Sequence, residues 1–361
     1  MLLGVEVNFV KKPLDEGIRL TKLVDSGKPA GTVKGAGKRI VFDYTGPEAA
    51  IAINRLFKNG AHVVLVQTRD ASGTVARVEA TGASPKTVQS LATSIGLQVR
   101  ADDKSAAAAA ALQSTTLKAP RLGFYQPWAG NMDEGWTRWV LEQHEFPYTS
   151  LHNADIKAGK LRDRFDAILF ADQQPNSIIR GSEAPSVRPE YRGGIGEEGV
   201  KALQAFVAQG GTLIMMGNAC DLAIDRFPLP VKNLKRGLTS DQQFAPGTIM
   251  RIQVDTAHPM GAGLDANTYG FYINSPFFSL TEGFASQKAS VVVRYPNTDV
   301  VASGWLKGEE YMTGRAAVVS VDLNPGRIVL FGLRPQHRAQ TQATFPLLFN
   351  AIYQSSANAA R

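Results

Sequence analysis

Three short apolar runs limit what this chain can become. Residues 165–170 read Phe-Asp-Ala-Ile-Leu-Phe, 212–216 read Thr-Leu-Ile-Met-Met, and 327–332 read Arg-Ile-Val-Leu-Phe-Gly. None alternates strictly between apolar and polar, so none suits a sheet with one wet face; such strands need cover on both sides. Segments of helical periodicity lie between the runs, as at 132–145 and 196–209. Buried strands joined through helices define a doubly wound, mostly parallel α/β sheet. Ligands of such sheets collect at the carboxyl ends of the strands. The loops after Phe170, Met216 and Gly332 are therefore the places to look for function.

Upstream, residues 39–44, 62–68, 75–80 and 97–100 read as strands, with helices at 47–59 and from Ser84-Pro85 onward. A serine cap followed by proline at the first helical position is a specific start signal. Residues 1–104 are thus expected to form a small N-terminal α/β domain. Residues 105–120, an alanine run followed by Ser and Thr, read as a linker. Residues 121–361 form the larger domain, with a β-rich insertion at about 230–325 and a closing helix over 341–353. In helix 132–145, Trp136, Trp139 and Val140 are expected to share one face. Gly193-Gly194-Ile195-Gly196 lacks the preceding strand of a dinucleotide fingerprint and reads as a lid near the sheet's edge.

Hydrophobic residues make up 44% of the 361 and charged residues 20%, which fits a well-packed globule. The net charge of +7 is spread along the chain without basic runs, so nucleic acid is not an expected partner. No stretch of about 18 apolar residues exists to span a membrane. Residues 1–7 carry Glu6 early and no sustained apolar core, so they read as no signal peptide, and a cytoplasmic location is expected for the chain as written. One cysteine excludes an intramolecular disulfide and a Cys-rich zinc site. None of the five histidines stands in His-x-x-Glu or His-Glu-x-x-His, so no peptidase zinc site is expected, nor any cofactor.

That single cysteine, Cys220, follows the 212–216 strand through Gly217-Asn218-Ala219. A thiol at a helix N-terminus lies among unpaired N–H groups, which favour thiolate and could serve a nucleophile beside an oxyanion hole. The alternative is a small apolar residue packed under the helix. His337 follows the 327–332 strand in the same way. If the two strands are neighbours, its imidazole comes near the thiol as a general base, with Gln340 as the sequence-near group to orient it. Arg334 and Arg338 flank it and suit a carboxylate or phosphate, or else form a solvated basic rim with it. Asn218 and Asp221 are the remaining candidates for substrate contact.

The strand–Gly217-Asn218-Ala219-Cys220–helix and the later strand–Arg334-Pro335-Gln336-His337 resemble the class I glutamine amidotransferase-like fold, a flavodoxin-like sheet. That resemblance implies a Cys220–His337 active pair. The family's acid two residues beyond the histidine is Ala339 here, and the elbow's second glycine is Leu222. A longer set of segments is similar to the region following the catalytic domain in large bacterial zinc carboxypeptidase-like proteins. They include Gly4-Val5-Glu6-Val7, Ala52-Ile53-Asn54-Arg55-Leu56, His258-Pro259-Met260-Gly261, Ser303-Gly304-Trp305-Leu306 and 326–338. It implies a relation to the part without the peptidase zinc ligands, and longer relatives that are exported.

Two functions follow as expectations. The first is a hydrolase of amide, ester or lactone bonds in a small or peptide-like substrate, with Cys220 as nucleophile and His337 as base. The alternative is a non-catalytic accessory module that binds peptide or glycan or mediates assembly. The expected partners are such a small-molecule or peptide substrate and, at most, further copies of the chain.

Overall fold

A computed structural model describes residues 30–357 other than 72, 104–110 and 284–286, together with scattered positions before residue 30. The alanines at 106–110 and the Gly4–Val7 segment lie outside the described residues.

The first sheet holds six strands: β1 (Thr32–Gly35), β2 (Arg39–Asp43), β3 (His62–Asp70), β4 (Gly73–Thr81), β5 (Gln98–Asp102) and β6 (Ala111–Leu117). Helices α1 (Glu48–Lys58) and α2 (Pro85–Ile95) cross between them. The order β1-β5-β2-β4-β3-β6 places β2, β3, β4 and β5 in the 4-1-3-2 arrangement of a split βαβ unit, with β1 and β6 added at the edges. Ser84 caps α2 by accepting from the Thr87 N–H, as its sequence signalled. Strand β6 corrects the linker reading. Its Ser and Thr residues resemble a loop in composition, yet they alternate in exposure along an edge strand paired to β3.

The second sheet holds twelve strands. Its parallel half comprises β7 (Leu122–Tyr125), β8 (Tyr148–Leu151), β9 (Ala167–Phe170), β10 (Thr212–Met216) and, late in the chain, β18 (Arg327–Phe331). The other half is antiparallel: β11 (Val231–Asn233), β12 (Thr248–Val254), β13 (Asn267–Tyr272), β14 (Phe278–Leu280), β15 (Lys288–Arg294), β16 (Val301–Ser303) and β17 (Ala316–Asp322). The β-rich insertion is thus no separate layer. It extends the same sheet beyond β18, which makes the whole sheet mixed and corrects the expectation of a mostly parallel one.

The three apolar runs lie side by side as β9, β10 and β18. Alternate residues serve opposite faces. Leu169, Ile214, Met216, Val329 and Phe331 join one core cluster, while Ile168, Leu213, Met215, Ile328 and Leu330 join the other. Helices α3 (Met132–Gln143) and α9 (Phe345–Ala357) cover the first face. On the other lie α4 (Asn153–Lys157), α5 (Leu161–Arg164), α7 (Gly196–Ala208) and α8 (Cys220–Arg226), and α6 (Pro175–Ile179) contributes Ile178 there. In chain order the parallel strands run 2-1-3-4-5 across the sheet, the flavodoxin-like winding, and the order reverses between β7 and β9.

Helix α3 departs from expectation. It buries Glu134, Thr137, Val140 and Leu141, while Met132, Trp136 and Trp139 stay exposed. Helix α9 begins at Phe345 rather than 341 and is buried on every side over residues 345–356. A helix with no wet face belongs between layers, and α9 lies between the two sheets. Tyr353 donates to the Ala50 carbonyl on α1, and Asn350 pairs with the Tyr44 hydroxyl just past β2. No described helix is long and apolar enough to cross a membrane.

Candidate functional site

The turn after β10 was the expected nucleophile elbow. An elbow exposes the residue forced into the left-handed region straight after the strand, and here that residue is Gly217, at φ +56°. A Cβ on Gly217 would lie 2.1 Å from Asp172 Oδ1. The crevice above the turn is therefore filled by a carboxylate, and the residue facing it has no side chain.

Cys220 comes three residues later, one turn into the helical segment, and points the other way. Its thiol is fully buried and donates to the carbonyls of Met215, at 3.3 Å, and Phe331, at 3.5 Å. Burial, with Asp221 adding, pushes the thiol well above its ordinary pKa. The thiolate reading is thus corrected: desolvation outweighs the helix terminus, and Cys220 is the small packed residue of the alternative.

His337 does not stand over the thiol. Its ring stacks on Phe271 with centroids 3.8 Å apart and planes 13° apart. Next to it, Gln336 Nε2 donates to Thr137 Oγ1 on α3. Burial pushes the imidazole down to about 4, with Arg334 and Arg338 adding, and Nδ1 has no partner among the described residues. Such a ring is a weak base held in a core. Neighbouring strands were the correct premise, but the chain travels on from Phe331 to α3 before reaching residue 337.

The other candidates are mostly spoken for. Arg334 reaches Asp172 Oδ2 at 2.5 Å and also pairs with Asp133, all three side chains being largely buried. Burial opposes the charge on Arg334, but Asp172 and Asp133 outweigh it and hold the guanidinium protonated. Asn218 donates from its backbone N–H and from Nδ2 to Asp172 Oδ1, at 2.6 and 3.0 Å. Asp221 pairs with Arg236 at 2.9 Å and accepts from Asn233. Arg338 remains exposed, its guanidinium resting 3.8 Å from Met132 Sδ, and so does Gln340, the expected orienter of His337. The stretch of sheet edge above β10 and β18 is closed by an Asp172–Arg334–Asp133 ion cluster.

Along the same edge, at the β7/β9 reversal, the surface is open. A cavity of ≈ 510 Å³ lies there. Tyr125 at the end of β7, Trp128 in the next loop, Gln173 beyond β9 and Ser177 on α6 form its floor and near walls. The far wall is the 182–193 loop, which contributes Arg188 and Tyr191. Ser182 and Gly193 bridge at its neck, where Gly181, at φ +62°, leaves room for the Gly193 carbonyl that a Cβ would strike at 1.9 Å. Asn153 fastens the neck from below: it accepts from the Tyr125 hydroxyl and donates to the Gly193 carbonyl. Arg192 braces the loop inside, donating to the carbonyls of Val187 and Pro185. The glycine-rich stretch was expected to give a lid near the sheet's edge, and it anchors this wall.

Aromatic rings dominate the opening. Trp128 lies flat on His152, centroids 3.7 Å and planes 7° apart, and Tyr191 tilts against it at 4.6 Å. His152 is itself fixed through Nδ1 at 2.8 Å from the Gln126 carbonyl. Even so, Trp128 remains 44% exposed and Tyr191 38%. The lining also presents the Asn153 and Gln173 amides and the Ser177, Ser182 and Ser186 hydroxyls, but no carboxylate, imidazole or thiol among the described residues. Sequence reasoning missed Trp128. The available signal was a tryptophan in a Gln-Pro-Trp-Ala-Gly turn straight after a buried strand. Nor do the described residues hold a cluster of three His, Cys, Asp or Glu side chains suited to a metal ion.

No family model matches the chain, and no curated protein matches it. Among solved structures, PurLQS of Thermotoga maritima aligns at 14% identity and a TM-score of 0.43, over 65% of this chain and 98% of that one. A cytoplasmic protein of Salmonella typhimurium aligns at 13% and 0.39, over 65% and 98%. A ThuA-like protein of Bacteroides uniformis aligns at 13% and 0.35, over 64% and 89%. Likenesses this distant carry no activity and no residue role across to this chain.

Proposed function

We propose that this chain is a non-catalytic binding module that takes a peptide or glycan segment in the cavity at the β7/β9 reversal. One observation carries the reading. The sheet edge is closed by ion pairs where a nucleophile would stand, and it is open where the lining offers aromatic surface, amides and hydroxyls without an acid, base or thiol. Three serine hydroxyls in a lining that contains no imidazole or carboxylate lack the base that nucleophilic catalysis needs. Apolar surface with a few convergent polar groups is instead the composition of a ligand site, and the volume falls in the usual range. The resemblance to the non-peptidase region of zinc carboxypeptidase-like proteins points the same way.

The test is a binding screen of short peptides and oligosaccharides by titration calorimetry, paired with hydrolysis assays on activated esters and lactones. A ligand from one class should bind and lose more than tenfold in affinity in Trp128→Ala. Hydrolysis that disappears in Cys220→Ala would overturn the reading and restore the thiol nucleophile.

A further inference from the structure

We infer that the occupant of this cavity is an acidic saccharide, a sugar ring bearing a carboxylate, with the ring over Trp128 and Tyr191 and the carboxylate on Arg188; this rests on the binding-module reading above. Three features narrow the ligand. The exposed aromatic surface is broad and held in place, since His152 backs Trp128 and the 182–193 loop carries Tyr191. Rings of this kind cover the apolar C–H face of a sugar, while its hydroxyl rim needs neutral groups that both donate and accept. The Asn153 and Gln173 amides and the serine hydroxyls supply them.

A peptide added as a β-strand would need a free strand edge. The strand at this cavity, β7, is an interior one with β8 and β9 on its two sides.

Arg188 is the cavity's sole charged lining residue among those described, and no carboxylate of the described chain pairs with it. A guanidinium presents a planar fork that matches a carboxylate with two parallel hydrogen bonds. A phosphate is the poorer match. The helix that starts beyond Trp128 has its N-terminus closed by the Asn131 side chain, which accepts from the Asp133 and Glu134 N–H groups.

The experiment titrates the whole chain with an oligomer of glucuronic acid, a neutral glucose oligomer of equal length, glucose 6-phosphate and an acidic peptide. The uronate oligomer should bind best and weaken with salt. Arg188→Gln should cost it about tenfold, the scale of a lost charge-assisted pair, and leave any neutral-sugar affinity unchanged. Trp128→Ala and, independently, Tyr191→Ala should each reduce all saccharide binding. A glucose oligomer that binds as tightly, indifferent to Arg188→Gln, would overturn the acidic assignment and leave the module reading standing. So would tighter binding of the sugar phosphate or the peptide, provided Trp128→Ala removes it. Failure of every ligand at millimolar concentration, or binding untouched by both aromatic variants, would sink the inference and the module reading together.

Discussion

Cys220 stands three residues beyond the one position in its turn whose side chain would face the crevice. Gly217 takes the left-handed conformation and Cys220 lies in the turn that follows, with its thiol packed inward on the Met215 and Phe331 carbonyls, which makes a nucleophile candidate a core residue. The same accounting applies to His337, whose ring found Phe271 instead of the thiol. Two enclosed histidines, His258 and His337, are held neutral by the fold. His258 is pushed down to about 4 by its enclosure, with Arg327 adding, and its Nδ1 accepts the Met260 N–H at 3.1 Å. His337 is pushed down to about 4 by burial. In the unfolded chain each titrates near its ordinary value of roughly 6.5. Between those values the unfolded state binds more protons, so the stabilisation is fully present above about 6.5 and is lost as pH falls toward 4. The unfolding free energy from urea titration should therefore drop between pH 7.5 and 5, by on the order of 1–2 kcal/mol per imidazole. His337→Gln and His258→Asn should each flatten that dependence; an unchanged slope in both would contradict their neutral burial.

Elements divide the sheet edge into a rigid part and an adjustable part, and two glycines report on them. Apolar runs and the Ser84-Pro85 start were legible because burial and capping write themselves into residue type. The turn at 217–220 was less so, because nothing in the sequence says which residue takes φ +56°. Strand β6 was misread because Thr and Ser serve edge strands and loops equally well. The glycine cluster at 193–196 lies near the sheet's edge, where Gly193 bridges to Ser182 and anchors the cavity wall, but the tryptophan opposite it gave no periodic signal. Gly217→Ala would push a Cβ into Asp172 and break its contact with Arg334, leaving a buried charge short of a partner. A loss of about 3–5 kcal/mol is expected, the usual consequence of breaking a buried pair. Gly181→Ala strains a surface neck instead and should cost about 1–2 kcal/mol. Because it moves the wall bearing Arg188 and Tyr191, it should nonetheless weaken ligand binding several-fold, whereas Gly217→Ala acts through stability. Urea titration and calorimetry on both variants separate the two; equal losses of stability would show that the neck and the elbow are not distinct.

At the scale of the molecule, the two sheets share one core rather than meeting at a wet interface. A single cluster runs from Ile53 and Leu65, through Leu348 and Ile352 of α9, to Ile214 and Val329 of the second sheet. Polar ties cross the same boundary: Gln67 on β3 donates to the Thr256 carbonyl, and Arg55 on α1 forks onto Glu145. At its centre, Asn350 accepts from the Tyr44 hydroxyl and donates to the carbonyls of Met260 and Ala262, all buried. Asn350→Leu keeps the volume but strands those three groups away from water. Each stranded group costs about 1–3 kcal/mol, so a loss of at least about 3 kcal/mol is expected. Because the helix belongs to both layers, the loss should appear as one endotherm shifted to lower temperature, in wild type and variant alike. Two separated endotherms, with only one displaced by the substitution, would show instead that the sheets unfold as independent bodies.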